Sequence, residues 1–248
     1  MPVLVVIPAR LASTRLPRKP LQPLGGVPLI IRVAERIQAH GIADRLVIAT
    51  DAPEIVSVVE SAGFEALLTA SGHRSGTDRV YEVSARAEFS ECDEILNVQG
   101  DVPFVPSGAL SGSLAQVRKG FDLGTAAVPL ASEDAADPAR VKVVTDQAGR
   151  ALYFSRSVIP ARCNGAGHQL YWQHLGVYAY TRPTLRRLAC AAPSRLELAE
   201  SLEQLRALEL GLSIGVELLR EPAGPAVDTS EDLREAEALW TVTHEVAP

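Results

Sequence analysis

The chain has 248 residues, 47% hydrophobic and 22% charged, which is the balance of a folded globular protein rather than of a disordered one. Its 24 basic residues stand against 30 acidic ones, a net charge of −6 that argues against a general nucleic-acid binder and leaves room only for a local basic pocket. Three scattered cysteines without a C-x-x-C, and no apolar run near the length of a membrane helix, point to a reducing cytoplasm, with no membrane or nucleic-acid partner.

In chain order, residues 3–7 are apolar and β-branched, as in a strand buried on both faces. A loop over 8–27 follows. Pro28 suits the first turn of a helix whose Leu29, Ile30, Val33 and Ile37 repeat at helical spacing up to Gly41. Residues 46–50 read as a strand, and Asp51 is placed to cap a helix from Pro53 to Gly63. The alternation continues with strand 64–69, helix 77–89, strand 94–98, helix 106–119 and strand 123–130. Such alternation implies βαβ units and a largely parallel, Rossmann-like α/β sheet flanked by helices.

The texture changes near residue 132. Residues 141–145 and 151–155 flank a turn and read as a β-hairpin, and 170–181 as a strand. Helices are expected over 182–191 and 196–210, a strand over 213–219, and a last helix capped by Ser230 and running to Thr243. The expected organisation is one continuous domain. Residues 1–131 and 211–248 form its core, and 132–210 a smaller β-rich lobe.

Familiar phosphate and nucleophile signatures are absent from the sequence: there is no G-x-G-x-x-G, no G-x-x-x-x-G-K-[ST], no H-E-x-x-H and no G-x-S-x-G. A nicotinamide-dependent oxidoreductase is therefore disfavoured. In open α/β sheets, ligands bind beyond the carboxyl ends of the strands. The loop after the first strand holds Arg10, Arg15, Arg18 and Lys19 within ten residues, among the small residues Ala9, Ala12, Ser13 and Thr14. Four cations there suit a triphosphate, although a solvated basic loop would look the same by charge alone.

The full string Pro-Ala-Arg-x-x-Ser-Thr-Arg-Leu-Pro-x-Lys-Pro-Leu resembles the signature of the 3-deoxy-manno-octulosonate (KDO) cytidylyltransferases. Six further segments resemble that family in its order. They are His73 to Arg79, Asn97 to Asp101, Ala151 to Arg156 with Ile159-Pro160, His174 to Tyr178, Leu202 to Arg206, and Val227 to Leu233. The resemblance implies transfer of CMP from CTP to KDO, with release of diphosphate, for lipopolysaccharide synthesis. It implies that Arg15, Lys19, Asp101 and Asp228 are catalytic. Pro8, Ala9, Arg10, Ser13, Arg15, Lys19, Ser75, Gly76, Thr77, Asp78 and Gln99 would hold the nucleotide. Gln99, Arg156, Arg162, His174, Tyr178, Glu203 and Gln204 would hold the sugar. Asp101 and Asp228 would bind Mg²⁺, and the β-rich lobe would form a homodimer.

On the residues themselves, Ser75 or Thr77 also suits a helix cap, Asp228 suits the cap of the last helix, and Tyr178 suits plain core. The stretch from Ala161 to Gly167 departs from the family's basic patch, which leaves KDO and 8-amino-KDO both open as acceptors. A nucleotidyltransferase of the same fold acting on a sialic-type acid or a methylerythritol phosphate, and a nucleotide-binding regulator without activity, are the competing readings. The motifs after residue 150 speak against the first, and the presence of Arg15, Lys19, Asp101 and Asp228 speaks against the second.

Overall fold

The computed structural model describes residues 1–161 and 171–244. It divides into two compact units, Met1–Ser107 with Ala223–Pro248, and Gly108–Pro222. The α/β class read from the sequence stands, and every strand expected within the described residues is present.

The first unit is built on four parallel strands, β1 (Val3–Ala9), β4 (Arg45–Thr50), β5 (Glu65–Leu68) and β6 (Glu94–Val98). Their order is β6-β1-β4-β5, with Val6 level with both Val47 and Asn97. The strand β1 is central, and residues 3–7 are all buried, which is why they read as an unbroken apolar run. The helices α1 (Leu29–Ala39), α2 (Pro53–Ser61) and α3 (Gly76–Ser84) connect these strands. Gly41 and Gly63 follow α1 and α2 with positive φ, the left-handed stop expected of them. A two-stranded ribbon, β2 (Pro23–Leu24) with β3 (Val27–Pro28), lies in the long first loop.

The unit closes with α8 (Ser230–His244). Leu233 and Trp240 of this helix pack on a buried cluster of Leu16, Leu24, Leu29, Val227 and Ala236. The Arg32 guanidinium lies over the Trp240 ring at 4.2 Å. A Cβ on Gly25 would collide with that indole, so the ribbon turn approaches α8 only as glycine.

The second unit holds α4 (Ser107–Arg118), β7 (Leu123–Leu130), β8 (Lys142–Thr145), β9 (Ala151–Ser155), β10 (Tyr171–Thr181), α5 (Arg182–Ala189), α6 (Arg195–Glu200), α7 (Gln204–Glu209) and β11 (Ile214–Leu218). The strand β7 pairs antiparallel with β10 and parallel with β11, and β8 pairs antiparallel with β9 and β10. Because β7 is bonded to β10 and β11, this unit takes in α4, β7 and β11, which the expectation of a lobe at 132–210 had left with the core. The ladder between β7 and β10 shifts register between His174 and Tyr178, so a bulge aims the side chains of that stretch.

Local expectations fail where tertiary partners win. The single helix expected over 196–210 is broken at Ser201, which adopts φ 53°. The break lets Arg206 turn back onto Glu197, where both are nearly buried and hydrogen-bonded (Nε to Oε2, 2.7 Å). Asp51 is not the cap of α2: the N-cap is Ala52, and Asp51 faces the fully buried Arg79 at 3.2 Å. Ser230 does not cap α8 either. Thr229 does, its hydroxyl accepting from the Asp232 amide at 3.2 Å while Asp232 Oδ2 accepts from the Thr229 amide at 2.7 Å. Among the described residues, no helix is long and apolar enough to cross a membrane, and Cys92 and Cys190 are free thiols.

Candidate active site

A cavity of about 350 Å³ opens beyond the carboxyl ends of β1 and β6, wholly within the first unit. It is lined by Pro8, Ala9, Arg10, Ala12, Ser13, Thr14, Arg15, Lys19, Pro20, Gly76, Gln99, Gly100, Asp101 and Asp228. Of the four stretches that line it, three far apart in sequence converge for identifiable reasons. The first is the loop leaving β1. Arg18 at φ 56° turns it into a short 3₁₀ turn, Lys19–Leu21, which presents the Lys19 side chain inward. The second follows β6, where a Cβ on Gly100 would lie 3.1 Å from the Pro8 carbonyl oxygen and 3.2 Å from Ile30 Cδ1. The missing side chain therefore lets the two strand ends close up and delivers Asp101. The third precedes α8 and is tied to the second by a hydrogen bond from the Val227 amide to the Asp101 carbonyl, 2.8 Å.

The electrostatic centre is Lys19. Its Nζ donates to Asp101 Oδ2 at 2.7 Å and to Asp228 Oδ1 at 2.9 Å. The Arg15 Nη2 approaches the other Asp228 oxygen at 3.2 Å. Burial alone would lower the Lys19 pKa, but Asp101 and then Asp228 outweigh it and hold the ammonium above its ordinary value. Burial likewise opposes ionisation of Asp228, and Lys19 and Arg15 overcome it, keeping that carboxyl below its ordinary value. Arg10 Nη2 is shut off from solvent and has no hydrogen-bond partner among the described residues, a cost unless a ligand supplies an acceptor. Arg18 pairs instead with Glu54 and does not line the cavity.

Asp101 and Asp228 pass the test for a hard divalent cation. They are oxygen donors that converge within reach of one ammonium, and a small cation of this kind takes one or two carboxylates and completes its shell with water and substrate phosphates. Among the described residues, no three His, Cys, Asp or Glu side chains cluster into a self-sufficient metal cage.

Of the expected nucleotide residues, Gly76 and Gln99 line the cavity, whereas Ser75, Thr77 and Asp78 do not. Ser75 and Asp78 form a capping box at the start of α3, with the Asp78 amide donating to Ser75 Oγ at 3.2 Å and the Ser75 amide to Asp78 Oδ2 at 3.3 Å. That box fixes the helix start from which Gly76 meets Pro8, where a Cβ would stand 3.2 Å from its Cγ. Gln99 Nε2 donates to Asn97 Oδ1 at 3.2 Å.

The expected sugar residues other than Gln99 and Arg162 belong to the second unit, and Arg162 lies outside the described residues. Arg156 donates from Nε to the Glu200 carbonyl at 2.8 Å, from Nη1 to the Pro138 carbonyl at 2.9 Å and from Nη2 to the Ser201 carbonyl at 3.4 Å. A guanidinium has five N–H groups, so one on each terminal nitrogen stays available. His174 is buried between the edge of Phe154, at 4.9 Å, and Tyr178, at 5.3 Å. The Thr125 hydroxyl gives its proton to the Val177 carbonyl at 2.7 Å, so its oxygen accepts from His174 Nε2–H at 3.0 Å. Burial lowers the His174 pKa to about 3 and leaves a neutral imidazole. Tyr178 donates to Gln204 Oε1 at 3.1 Å, and burial holds its phenol well above the ordinary value. Gln204 Nε2 is buried without a partner among the described residues. Sequence reasoning did not find Thr125 or Glu200. The only signal for Thr125 was a polar residue at a buried position of an apolar strand.

Comparison with known proteins places this arrangement. Residues 4–214 match the family model described as cytidylyltransferase. The 3-deoxy-manno-octulosonate cytidylyltransferase of Gemmatimonas aurantiaca is 48% identical, over 98% of this chain and 96% of its own. That of Yersinia pseudotuberculosis is 44% identical, over 96% of this chain and 98% of its own. A solved structure of CMP:2-keto-3-deoxy-manno-octonic acid synthetase complexed with CTP superposes with a TM-score of 0.91 at 36% identity, covering 98% of this chain and all of that one. Likeness of this extent, running through both units and every segment around the cavity, makes the chain a nucleotidyltransferase of the 3-deoxy-manno-octulosonate cytidylyltransferase family.

Proposed function

We propose that the enzyme transfers CMP from CTP to KDO, yielding CMP-KDO and diphosphate in the cytoplasm for lipopolysaccharide synthesis, and that it works as a homodimer. The observation that carries the reading is the cavity at the ends of β1 and β6, where Arg10, Arg15 and Lys19 face Asp101 and Asp228, in a chain whose relatives bear this enzyme's name.

The anomeric hydroxyl of the sugar attacks the α-phosphorus of CTP in line, and diphosphate departs from the opposite side. Such transfers need positioning and charge neutralisation more than covalent help. Arg10 gives its unpartnered Nη2 to a phosphate oxygen, and Arg15 and Lys19 neutralise the charge that builds on the leaving diphosphate. The backbone of the loop around Ala9 and Ser13 lies against the triphosphate. Gly76 and Gln99 border the nucleoside, held in place by the Ser75–Asp78 box, and Thr77 belongs to the same helix start. Asp101 and Asp228 would hold Mg²⁺, which would neutralise phosphate charge. Arg156 offers its two remaining N–H groups to the sugar carboxylate. His174, Tyr178, Glu203 and Gln204 supply hydrogen bonds to the sugar, with Gln204 Nε2 lacking a partner until the sugar binds. His174 acts as a neutral hydrogen-bonding group.

The test is diphosphate release with Mg²⁺, crossing the four ribonucleoside triphosphates with KDO, 8-amino-KDO, a sialic acid and no sugar. Release with CTP and KDO alone is expected. Release with a different acid sugar would overturn the assignment of the acceptor, and release with none would overturn the enzymatic reading.

A further inference from the structure

The Lys19 ammonium stands where the two carboxylates of the site converge. We infer that Lys19 is a placeholder for the divalent cation: it holds Asp101 and Asp228 together in the nucleotide-free enzyme and vacates that position when it turns to the triphosphate. This rests on the proposed role of Asp101 and Asp228 as the cation's carboxylates.

Three observations carry it. The first is distance. Nζ contacts Asp101 Oδ2 at 2.7 Å and Asp228 Oδ1 at 2.9 Å, whereas Mg²⁺ sits about 2.0–2.1 Å from its oxygens. An ion that uses both of these oxygens takes the ammonium's place, and an ammonium has no lone pair with which to ligate it. The second is charge. The carboxylates of Asp101 and Asp228 are paired with Lys19 and Arg15, which weakens their attraction for a further cation. The third is exposure. The Lys19 side chain is 18% exposed and Asp101 24%, against 63% for Arg15, so solvent screens the lysine's contacts least and the lysine is the barrier. The 3₁₀ turn fixes the lysine backbone, and its four-carbon stem lets the head group swing to a neighbouring acceptor. Triphosphate oxygens in the same cavity are the acceptors that draw it away. The consequence is an order of events: the cation enters with the nucleotide or after it.

The test measures binding of Mn²⁺, a paramagnetic substitute for Mg²⁺, to nucleotide-free protein by the loss of the free-ion signal in electron paramagnetic resonance. Lys19→Met is expected to bind Mn²⁺ at least about tenfold more tightly than the wild type. The double variant Lys19→Met/Asp101→Asn is expected to lose that gain. If Asp101→Asn weakens binding but Lys19→Met does not strengthen it, the carboxylates serve the ion and the placeholder role is wrong. If the ion binds equally to all four proteins, the carboxylates are not its ligands and the underlying metal reading falls too. The wild type gives an independent readout. The chain has three lysines, Lys19, Lys119 and Lys142, so protein labelled with ε-¹³C-lysine gives three resolvable signals. CTP added in the presence of a chelator should shift the Lys19 signal and leave that of Lys119 in place. An unmoved Lys19 signal under saturating CTP would overturn the inference.

Discussion

Replacing His174 with glutamine separates the folding role of this residue from its place in the active site. The imidazole is 9% exposed, it donates to Thr125, and its pKa falls from 6.5 to about 3 because burial disfavours the charged form. Between those two values the unfolded chain binds a proton that the folded chain refuses, so stability rises with pH through that window. The contribution is fully present above about pH 6.5 and is lost progressively as the pH falls toward 3. At pH 5 the loss is about 2 kcal/mol, and at pH 7.5 it is close to zero. Glutamine keeps a donor for the Thr125 oxygen but cannot be protonated. At pH 7.5 the variant should be the less stable protein, by about 1–3 kcal/mol for the lost ring contacts with Phe154 and Tyr178. By pH 5 that deficit should shrink by about 2 kcal/mol, or reverse. Guanidinium unfolding at pH 7.5, 6.0 and 5.0 measures the gap. A gap that stays constant over this range would refute the argument and place the acid sensitivity elsewhere.

Four further outcomes follow from the geometry. Thr229→Ala removes the N-cap of α8 and should cost about 1 kcal/mol in thermal unfolding, while Ser230→Ala should stay near wild type. Arg206→Met leaves Glu197 buried without its cation and should cost about 3–5 kcal/mol, and restoring balance with Glu197→Leu in the same chain should recover part of it. Chelation of divalent metal should abolish diphosphate release, with recovery on adding Mg²⁺. Asp101→Asn should lower kcat by about 100-fold or more even at saturating Mg²⁺, measured by steady-state kinetics.

What the sequence revealed follows a physical rule. The strands β1 and β6 were legible because burial on both faces favours apolar, often β-branched residues there, with Glu94 and Asn97 the exceptions in β6. The cation-rich loop was legible because it follows such a strand. The partners of individual side chains were not legible, because several residues nearby in sequence qualify for each role and long-range contacts choose among them. Arg79, fully buried, claimed Asp51 and left the start of α2 without a side-chain cap. Asp232 selected Thr229 over Ser230 because its carboxylate also receives the Asp228 amide, at 3.0 Å. Arg156, expected to face a sugar, commits three of its N–H groups to carbonyls, one at Pro138 in the loop between β7 and β8 and two at the end of α6. Nothing in a linear reading shows that the chain turns there through Ser201.

The hydrogen bond between the Val227 amide and the Asp101 carbonyl has a consequence for how the molecule is made. A ribosome releases the chain in order, so the second unit, Gly108–Pro222, emerges as one uninterrupted stretch and can fold while synthesis continues. The first unit emerges earlier yet waits for its last piece. Until residue 227 arrives, the Asp101 loop lacks its brace, the apolar cluster around Leu16 and Leu24 lacks Val227 and Ala236, and Lys19 has one carboxylate instead of two. The first unit therefore acquires its full charge pattern only after the whole of the second unit has been synthesised. A product halted after Pro222 would carry a whole second unit beside an inert half-built pocket.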